Sequence, residues 1–189
     1  MRQHEPPLER RVARRPVGAR SLVVVNTGDG KGKTTAAMGI VVRALARGWR
    51  VCVIQFIKSG QWRTGEEQIG RQLGVDWWAG GDGFSWDSED LDRSADLARA
   101  AWAAARERIE SGDYELVVLD EVTYPVNWGW IAATDVVQSI RDRPSHVSVV
   151  ITGREAPEAL EDVADTITDM RKVRHAFDQG IAARRGIDF

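Results

Sequence analysis

The chain has 189 residues, of which 29% are charged and 43% hydrophobic, with a formal net charge of −2. These values fit one globular domain with a buried core. The near-neutral charge gives no basic field for nucleic acid, and the single cysteine, Cys52, excludes an internal disulfide framework. No apolar stretch approaches the ~18 residues that span a bilayer, and no signal peptide opens the chain. We therefore expect a cytoplasmic protein without nucleic-acid or membrane partners.

Residues 1–20 form the first segment, and they contain six arginines and three prolines with almost no apolar pattern. This composition predicts a flexible, basic N-terminal arm. The stretch "LERRVARR" has enough residues for about two helical turns. Composition alone does not choose between a solvated terminus and an arm that closes on a ligand. The rest of the chain, 21–189, is predicted to be a single domain.

Buried strands and amphipathic helices alternate through this domain. Continuous β-branched or apolar runs predict strands, and apolar spacings of three and four predict helices. The predicted strands are 21–26, 50–56, 75–78, 114–121, 146–153 and an edge strand at 166–170. The predicted helices are 33–47, 64–74, 90–109, 134–141 and 157–164. This alternation is typical of an α/β fold with a mostly parallel sheet and helices on both faces.

The segment "NTGDGKGKTTAAMG" (26–39) lies between the first strand and the first helix. Gly32, Lys33 and Thr34 complete the P-loop (Walker A) pattern, although Thr27 stands where its first glycine belongs. Small residues let backbone N–H groups turn toward phosphate oxygens, and the helix N-terminus adds positive potential. Lys33 supplies a charged donor and Thr34 a Mg²⁺ ligand. The predicted nucleotide-binding residues here are Gly28, Asp29, Gly30, Lys31, Gly32, Lys33, Thr34 and Thr35.

The strand "LVVLDE" ends in Asp120 and Glu121, which are suited to a Mg²⁺ site together with Thr34. Such a strand most often lies beside the P-loop strand, so we expect the two to be neighbours. Glu121 could also act as a base, which leaves a kinase or an ATPase open. Asp29 adds a negative charge to an anion-binding loop. We expect this charge to weaken binding unless Lys31 or Mg²⁺ offsets it or the side chain points outward.

The loop "GDGFSWDS" places Phe84 and Trp86 in a polar, glycine-rich stretch. Two large apolar side chains in a loop usually pack into the core, and periodicity slightly favours that interpretation. The alternative is a platform for a large, flat, hydrophobic ligand. The three histidines do not lie at metal-ligand spacing, so we interpret them as ordinary histidines.

Six segments then occur in order and at suitable distances: "TGDGKGKTTAA", "VIQFIKSG", "GDGFSW", "LVVLDE", "VVITGR" and "HAFDQGIAARRGIDF". Together they resemble the P-loop-type ATP:corrinoid adenosyltransferases, which act on cob(I)alamin or cob(I)yrinic acid a,c-diamide. The resemblance covers roughly residues 21–189. It implies a RecA-like P-loop domain that transfers the 5′-deoxyadenosyl group of ATP to Co(I) and releases triphosphate. This reaction serves adenosylcobalamin biosynthesis or salvage, and needs no side-chain nucleophile.

The resemblance also implies roles for individual residues. Lys33, Thr34 and Glu121 would be catalytic, with Asp120 at the Mg²⁺ site. Arg43 would lie near the nucleotide, although an exposed helix position explains it nearly as well. Phe84 and Trp86 would displace the lower axial ligand of cobalt. Asp29 stands where the family more usually has asparagine or histidine.

The partners implied by the resemblance are ATP, a corrinoid, a second copy of the chain in a homodimer, and a transient flavoprotein reductase. The N-terminal segment would close over the corrinoid. Two rival functions remain open. One is a regulatory module that binds ATP and corrinoid without turnover, and the other is a small-molecule kinase or ATPase.

Overall fold

The computed structural model describes residues 21–59, 64–81 and 91–188. The predicted arm, 1–20, and the predicted corrinoid-binding residues Phe84 and Trp86 lie outside the described residues. Within them, no helix is long and apolar enough to cross a membrane.

Six strands and six helices make up the described fold. The strands are β1 (Val23–Thr27), β2 (Val51–Ser59), β3 (Asp76–Gly81), β4 (Leu116–Asp120), β5 (Ser148–Thr152) and β6 (Thr166–Asp169). The helices are α1 (Lys33–Leu45), α2 (Gly65–Gln72), α3 (Leu91–Ser111), α4 (Thr123–Asn127), α5 (Ala133–Asp142) and α6 (Glu158–Glu161). A short 3₁₀ turn, Phe177–Gln179, lies in the C-terminal segment.

The strands form one sheet in the order β3-β2-β4-β5-β1-β6, and every pairing is parallel. This confirms the predicted α/β class, and β6 lies at an edge as expected. The prediction that β4 neighbours the P-loop strand β1 is wrong, because β5 lies between them. β4 is buried along its whole length and pairs with β2 and β5. The carboxyl ends of the strands still meet at one edge of the sheet, where ligands bind in open α/β sheets.

Two hydrophobic clusters cover the two faces of the sheet. Alternate residues of the strands pack against α1 on one face and against α3 and α5 on the other. Helices on both faces give the three layers predicted from the sequence. Cys52 is fully buried, and burial raises the pKa of its thiol to about 12. This cysteine packs as a small hydrophobic residue.

Two helices differ from the prediction. The short helix α4 was not predicted, because five residues with Pro125 in the middle are too few to show a helical period. Helix α6 covers only part of the predicted 157–164. Pro157 is its N-cap residue rather than part of its first turn.

Candidate active site

The loop between β1 and α1 runs under the residues that follow β6. Gly28 and Gly32 have φ angles of 93° and 116°, where a side chain is strained. A Cβ atom added to Gly28 would lie 2.7 Å from the backbone nitrogen of Met170, and one added to Gly30 would lie 2.8 Å from its carbonyl carbon. The glycines are therefore required by this close approach as well as by the turn.

Lys33 begins α1 and folds back over the loop. Its Nζ donates hydrogen bonds to the carbonyl oxygens of Gly28 (2.6 Å) and Gly30 (2.7 Å). Burial lowers the pKa of this ammonium, and the positive charge of Arg154 lowers it further. Three nearby carboxylates act in the opposite direction: Asp29, Glu121 and Asp169. The loop thus holds a partly desolvated cation at the point where phosphate would bind.

The side chain of Thr34 is hydrogen-bonded to Asp120, the last residue of β4. Its hydroxyl donates to Asp120 Oδ1 over 2.8 Å, and the hydroxyl of Thr152 donates to the same oxygen over 2.7 Å. The other carboxylate oxygen, Oδ2, accepts from Gln55 Nε2 over 3.0 Å. Asp120 is completely buried. Its carboxylate therefore holds the Thr34 hydroxyl in place, while the lone pairs of that hydroxyl stay available to a cation.

Glu121 follows Asp120 in the left-handed conformation, with φ of 64°. Its backbone N–H donates to Thr152 Oγ1 over 2.9 Å, and the residue is half-buried. The negative charge of Glu121 raises the pKa of both Lys33 and Tyr124. Strained backbone of this kind is concentrated at functional sites, although among the described residues Glu155 also has a positive φ.

Comparison with known proteins connects this geometry with a chemistry. A family model described as ATP:corrinoid adenosyltransferase BtuR/CobO/CobP matches residues 19–189. The chain belongs to this family. The Corrinoid adenosyltransferase of Escherichia coli K12 is 39% identical over 170 residues, which cover 90% of this chain and 86% of that protein. The relative from Pseudomonas aeruginosa PAO1, of the same name, is 41% identical over 172 residues, which cover 90% and 84%.

A third relative is the Corrinoid adenosyltransferase CobA of Salmonella typhimurium LT2, which is 38% identical over 170 residues. That match covers 90% of this chain and 86% of that protein. The family confirms the resemblance inferred from the six sequence segments. It makes this chain an enzyme that adenosylates corrinoids with ATP in cobalamin biosynthesis, and it does not favour the kinase or regulatory alternatives.

The predicted site residues of this adenosyltransferase do not all lie together. Lys33, Thr34, Asp120 and Glu121 meet at the carboxyl edge of the sheet, as the sequence motifs predict. Arg43 is exposed in the last turn of α1, which places it about 15 Å along the helix from Lys33. Its contact with the nucleotide stays a prediction.

Other predicted loop residues have partners from the C-terminal part of the chain. The backbone N–H of Gly30 donates to the carbonyl oxygen of Met170, and Lys31 forms an ion pair with Asp188. Asp29 and Thr35 are exposed. The Asp29 charge still raises the pKa of Lys33, so the effect of Asp29 on nucleotide affinity stays a prediction.

Arg154, Thr152 and Gln55 are site residues that the sequence did not reveal. Arg154 follows β5 in the segment "VVITGR", and its charge acts on Lys33. Gly153, the residue before Arg154, has a φ of 144°. The backbone of Arg154 is held in place because Thr123 Oγ1 donates a hydrogen bond to its carbonyl oxygen over 2.7 Å. In the sequence, Thr152 is only a polar residue at the end of a buried strand. It indicates a site residue once the structure shows that β5 lies beside the P-loop strand β1.

The donor set suits Mg²⁺. The described residues contain no group of three or more His, Cys, Asp or Glu side chains that could hold a metal by themselves. Mg²⁺ is usually bound by one or two carboxylates together with substrate phosphates and water. A threonine hydroxyl, a buried carboxylate behind it and a second carboxylate beside the phosphate loop fit that pattern.

Proposed function

We propose that this adenosyltransferase transfers the 5′-deoxyadenosyl group of ATP to the Co(I) centre of a corrinoid and releases the intact triphosphate. The observation that carries this proposal is the joining of the phosphate loop to β4 through the Thr34–Asp120 hydrogen bond, 2.8 Å long, in a chain of this family. Such a loop holds a polyphosphate. In this reaction the polyphosphate is the leaving group, and reduced cobalt is the nucleophile.

Lys33 and Arg154 would stabilise the leaving group. On binding, the Lys33 ammonium would exchange the carbonyl oxygens of Gly28 and Gly30 for phosphate oxygens. Arg154 would add a second positive charge at the mouth of the loop. Fixed cations in a partly desolvated site stabilise developing negative charge without reorganisation. Holding the ribose carbon in line with cobalt adds to the rate, since effective molarities of about 10⁵–10⁸ M arise from positioning alone.

Mg²⁺ is the proposed cofactor, held by Thr34 and Glu121 together with the phosphates. It would supply charge neutralisation on the triphosphate. Asp120 belongs to the proposed metal site through Thr34, since its oxygens accept hydrogen bonds from Thr34, Thr152 and Gln55. Lys33, Thr34 and Glu121 remain the residues to which we assign direct contact with the nucleotide or its metal.

The remaining partners rest on the family resemblance. We expect a homodimer, a transient flavoprotein reductase that delivers the electron to cobalt, and a cytoplasmic location. The basic arm, 1–20, would close over the corrinoid. Phe84 and Trp86 would displace the lower axial ligand and so make reduction to Co(I) feasible.

Product analysis tests the proposed reaction. The protein is incubated anaerobically with MgATP and chemically reduced corrinoid, and the products are separated. Adenosylated corrinoid in equal amount to intact triphosphate is the expected result. ADP and phosphate without adenosylated corrinoid would show phosphoryl transfer instead. ATP binding with neither product would favour the regulatory module.

A second experiment tests the aromatic pair. If Phe84 and Trp86 form a corrinoid platform, their alanine variants should melt close to the parent but lose activity with Co(II) corrinoid and reductant. They should keep much more activity when Co(I) is supplied directly. A buried Phe or Trp changed to Ala costs about 3–5 kcal/mol of stability. Losses of that size in both variants would assign the pair to the core.

A further inference from the structure

A row of buried polar side chains crosses four neighbouring strands and ends at the phosphate loop. Trp77 Nε1 on β3 donates to Gln55 Oε1 on β2 over 3.0 Å. Gln55 Nε2 donates to Asp120 Oδ2 on β4, also over 3.0 Å. Asp120 Oδ1 accepts from Thr152 on β5 and from Thr34 in α1. Trp77 and Gln55 are only 3% and 2% exposed, so this row lies inside the protein.

Strand register places these side chains next to one another. Gln55 and Asp120 are cross-strand partners in the pairing of β2 with β4. On β3 the partner of Gln55 is Ala79, so Trp77 lies two residues away on the same face and reaches Gln55 diagonally. The Trp77 ring packs against α2, where a Cβ atom added to Gly70 would come within 2.9 Å of Trp77 Cε3. The ring is therefore fixed on the side away from Gln55.

The chemistry of the donors gives the row a direction. An indole N–H can only donate, so the oxygen of the Gln55 amide must face Trp77. Its NH₂ group then faces Asp120 and donates to it. If the amide were reversed, its oxygen would face a carboxylate oxygen. Trp77 thus sets the orientation in which Gln55 holds Asp120, and Asp120 in turn holds the Thr34 hydroxyl.

We propose that Trp77 and Gln55 are positioning residues that orient the Asp120 carboxylate and, through it, the Thr34 hydroxyl for the Mg²⁺ of bound MgATP. This inference rests on the proposed magnesium site. Neither residue contacts the nucleotide. Their loss should weaken the part of ATP binding that depends on Mg²⁺ and leave the backbone phosphate contacts of the loop unchanged.

The test is calorimetric titration of ATP into the full chain over a series of Mg²⁺ concentrations, including none. The variants are Trp77→Phe and Gln55→Met, which keep most of the side-chain volume and remove the hydrogen bonds. Residues behind a metal ligand typically change metal affinity about 10–100-fold. We expect about a tenfold higher Mg²⁺ requirement for Gln55→Met and a smaller increase, about threefold, for Trp77→Phe. The affinity for ATP without Mg²⁺ should not change.

Trp102→Phe is the matched control, because Trp102 is 8% exposed and packs in the core on α3. It should lower the melting temperature without changing the Mg²⁺ requirement. In a Gln55→Met background, Trp77→Phe should add little further, since residues acting through one path are not additive. Circular dichroism establishes that each variant is folded before titration.

Two results in the variants would overturn the inference while leaving the proposed magnesium site in place. One is an unchanged Mg²⁺ requirement in both variants when the parent requires Mg²⁺, which would leave Trp77 and Gln55 with a packing role only. The other is ATP binding that is weakened equally with and without Mg²⁺, which would mean that the substitutions had moved the phosphate loop itself. Mg²⁺-independent ATP binding by the parent would instead contradict the magnesium site proposed above, and the inference with it.

Discussion

The phosphate loop partly shields the Lys33 ammonium from water. Burial and the charge of Arg154 lower its pKa below the ordinary value of 10.5. The charged form is therefore less favourable in the folded chain than in the unfolded chain, and the ammonium loses its proton at a lower pH than an exposed lysine would. A bound triphosphate reverses this effect, because negative charge favours the protonated form.

The affinity for ATP should consequently fall as pH rises, and the fall should begin below pH 10.5. Lysine attracts phosphate only while it is protonated, and its folded pKa is lowered, so the loss occurs as pH rises through that lowered value. Titration of ATP at fixed Mg²⁺ between about pH 7 and pH 10 checks this expectation. Lys33→Arg is the control, since arginine keeps its proton throughout. A flat profile for the parent, or parallel profiles for both proteins, would contradict the assignment to Lys33.

Glu121 shows a related conflict between stability and function. A glutamate at φ of 64° is strained, by about 1–2 kcal/mol relative to right-handed backbone. Glycine would relieve the strain but would also make the unfolded chain more flexible, at a cost of about 0.4–1 kcal/mol. Glu121→Gly should therefore be as stable as the parent, or up to about 1.6 kcal/mol more stable, and should adenosylate corrinoid far more slowly.

Urea unfolding and turnover, measured on the same preparations, check this prediction. Glu155→Gly is a suitable companion, because Glu155 also has a positive φ, of 50°. Both variants should gain or keep stability, and only Glu121→Gly should raise the Mg²⁺ requirement. Unfolding of Glu121→Gly at much lower urea would show that the carboxylate contributes more to the fold than to the reaction.

At the scale of the elements, local sequence pattern accounts for much of the fold. Each predicted strand and helix corresponds to an observed one, because buried runs and helical spacings are properties of neighbouring residues. The position of β5 between β1 and β4 could not be predicted in this way. Both β4 and β5 are short buried runs, and their order depends on contacts between residues far apart in the chain. The same limit applies to the site. Lys33 and Thr34 belong to a motif, whereas Gln55 and Thr152 become site residues only through strand order.

Helix α2 gives a test at this scale, through its packing on β3. Gly70→Ala would place a Cβ atom 2.9 Å from the Trp77 ring, on the side opposite the Nε1 atom that donates to Gln55. Overpacking of this kind costs about 1–3 kcal/mol, which exceeds the roughly 1 kcal/mol that alanine gains in a helix. We expect lower stability in urea and, because Trp77 shifts, a higher Mg²⁺ requirement for ATP binding.

Gly65→Ala in the same helix is the matched control, since no atom lies within 4 Å of the position of its Cβ. It should leave stability unchanged or raise it by up to about 1 kcal/mol. If the two variants unfolded at the same urea concentration, α2 would not be what holds Trp77 in place.

At the scale of the whole molecule, the C-terminal segment returns to the phosphate loop. Lys31 lies in that loop and Asp188 near the end of the chain, and their side chains form an ion pair. The Asp188 carboxylate is also fixed by the backbone N–H of Arg184, which donates to its Oδ2 over 2.7 Å. The Asp188 carboxylate is therefore paired with Lys31, a cation that a bound triphosphate would also contact. The carboxylate and the triphosphate should compete for Lys31.

Asp188→Asn should strengthen ATP binding, because the triphosphate no longer displaces a carboxylate from Lys31. The side chains of Lys31 and Asp188 are 47% and 25% exposed, so the pair is screened by solvent. Pairs of this kind contribute about 0.2–1 kcal/mol, which limits the gain to about fivefold. The gain should shrink as salt is raised, since the Debye length falls from about 10 Å at 0.1 M to about 3 Å at 1 M.

Asp178→Asn is the control, because it removes the same charge from the same segment, where Asp178 pairs with Lys172 over 3.1 Å. Equal effects of the two substitutions on the dissociation constant of ATP would show that net charge alone is responsible. A gain confined to Asp188→Asn would establish that the end of the chain and the nucleotide compete for the phosphate loop.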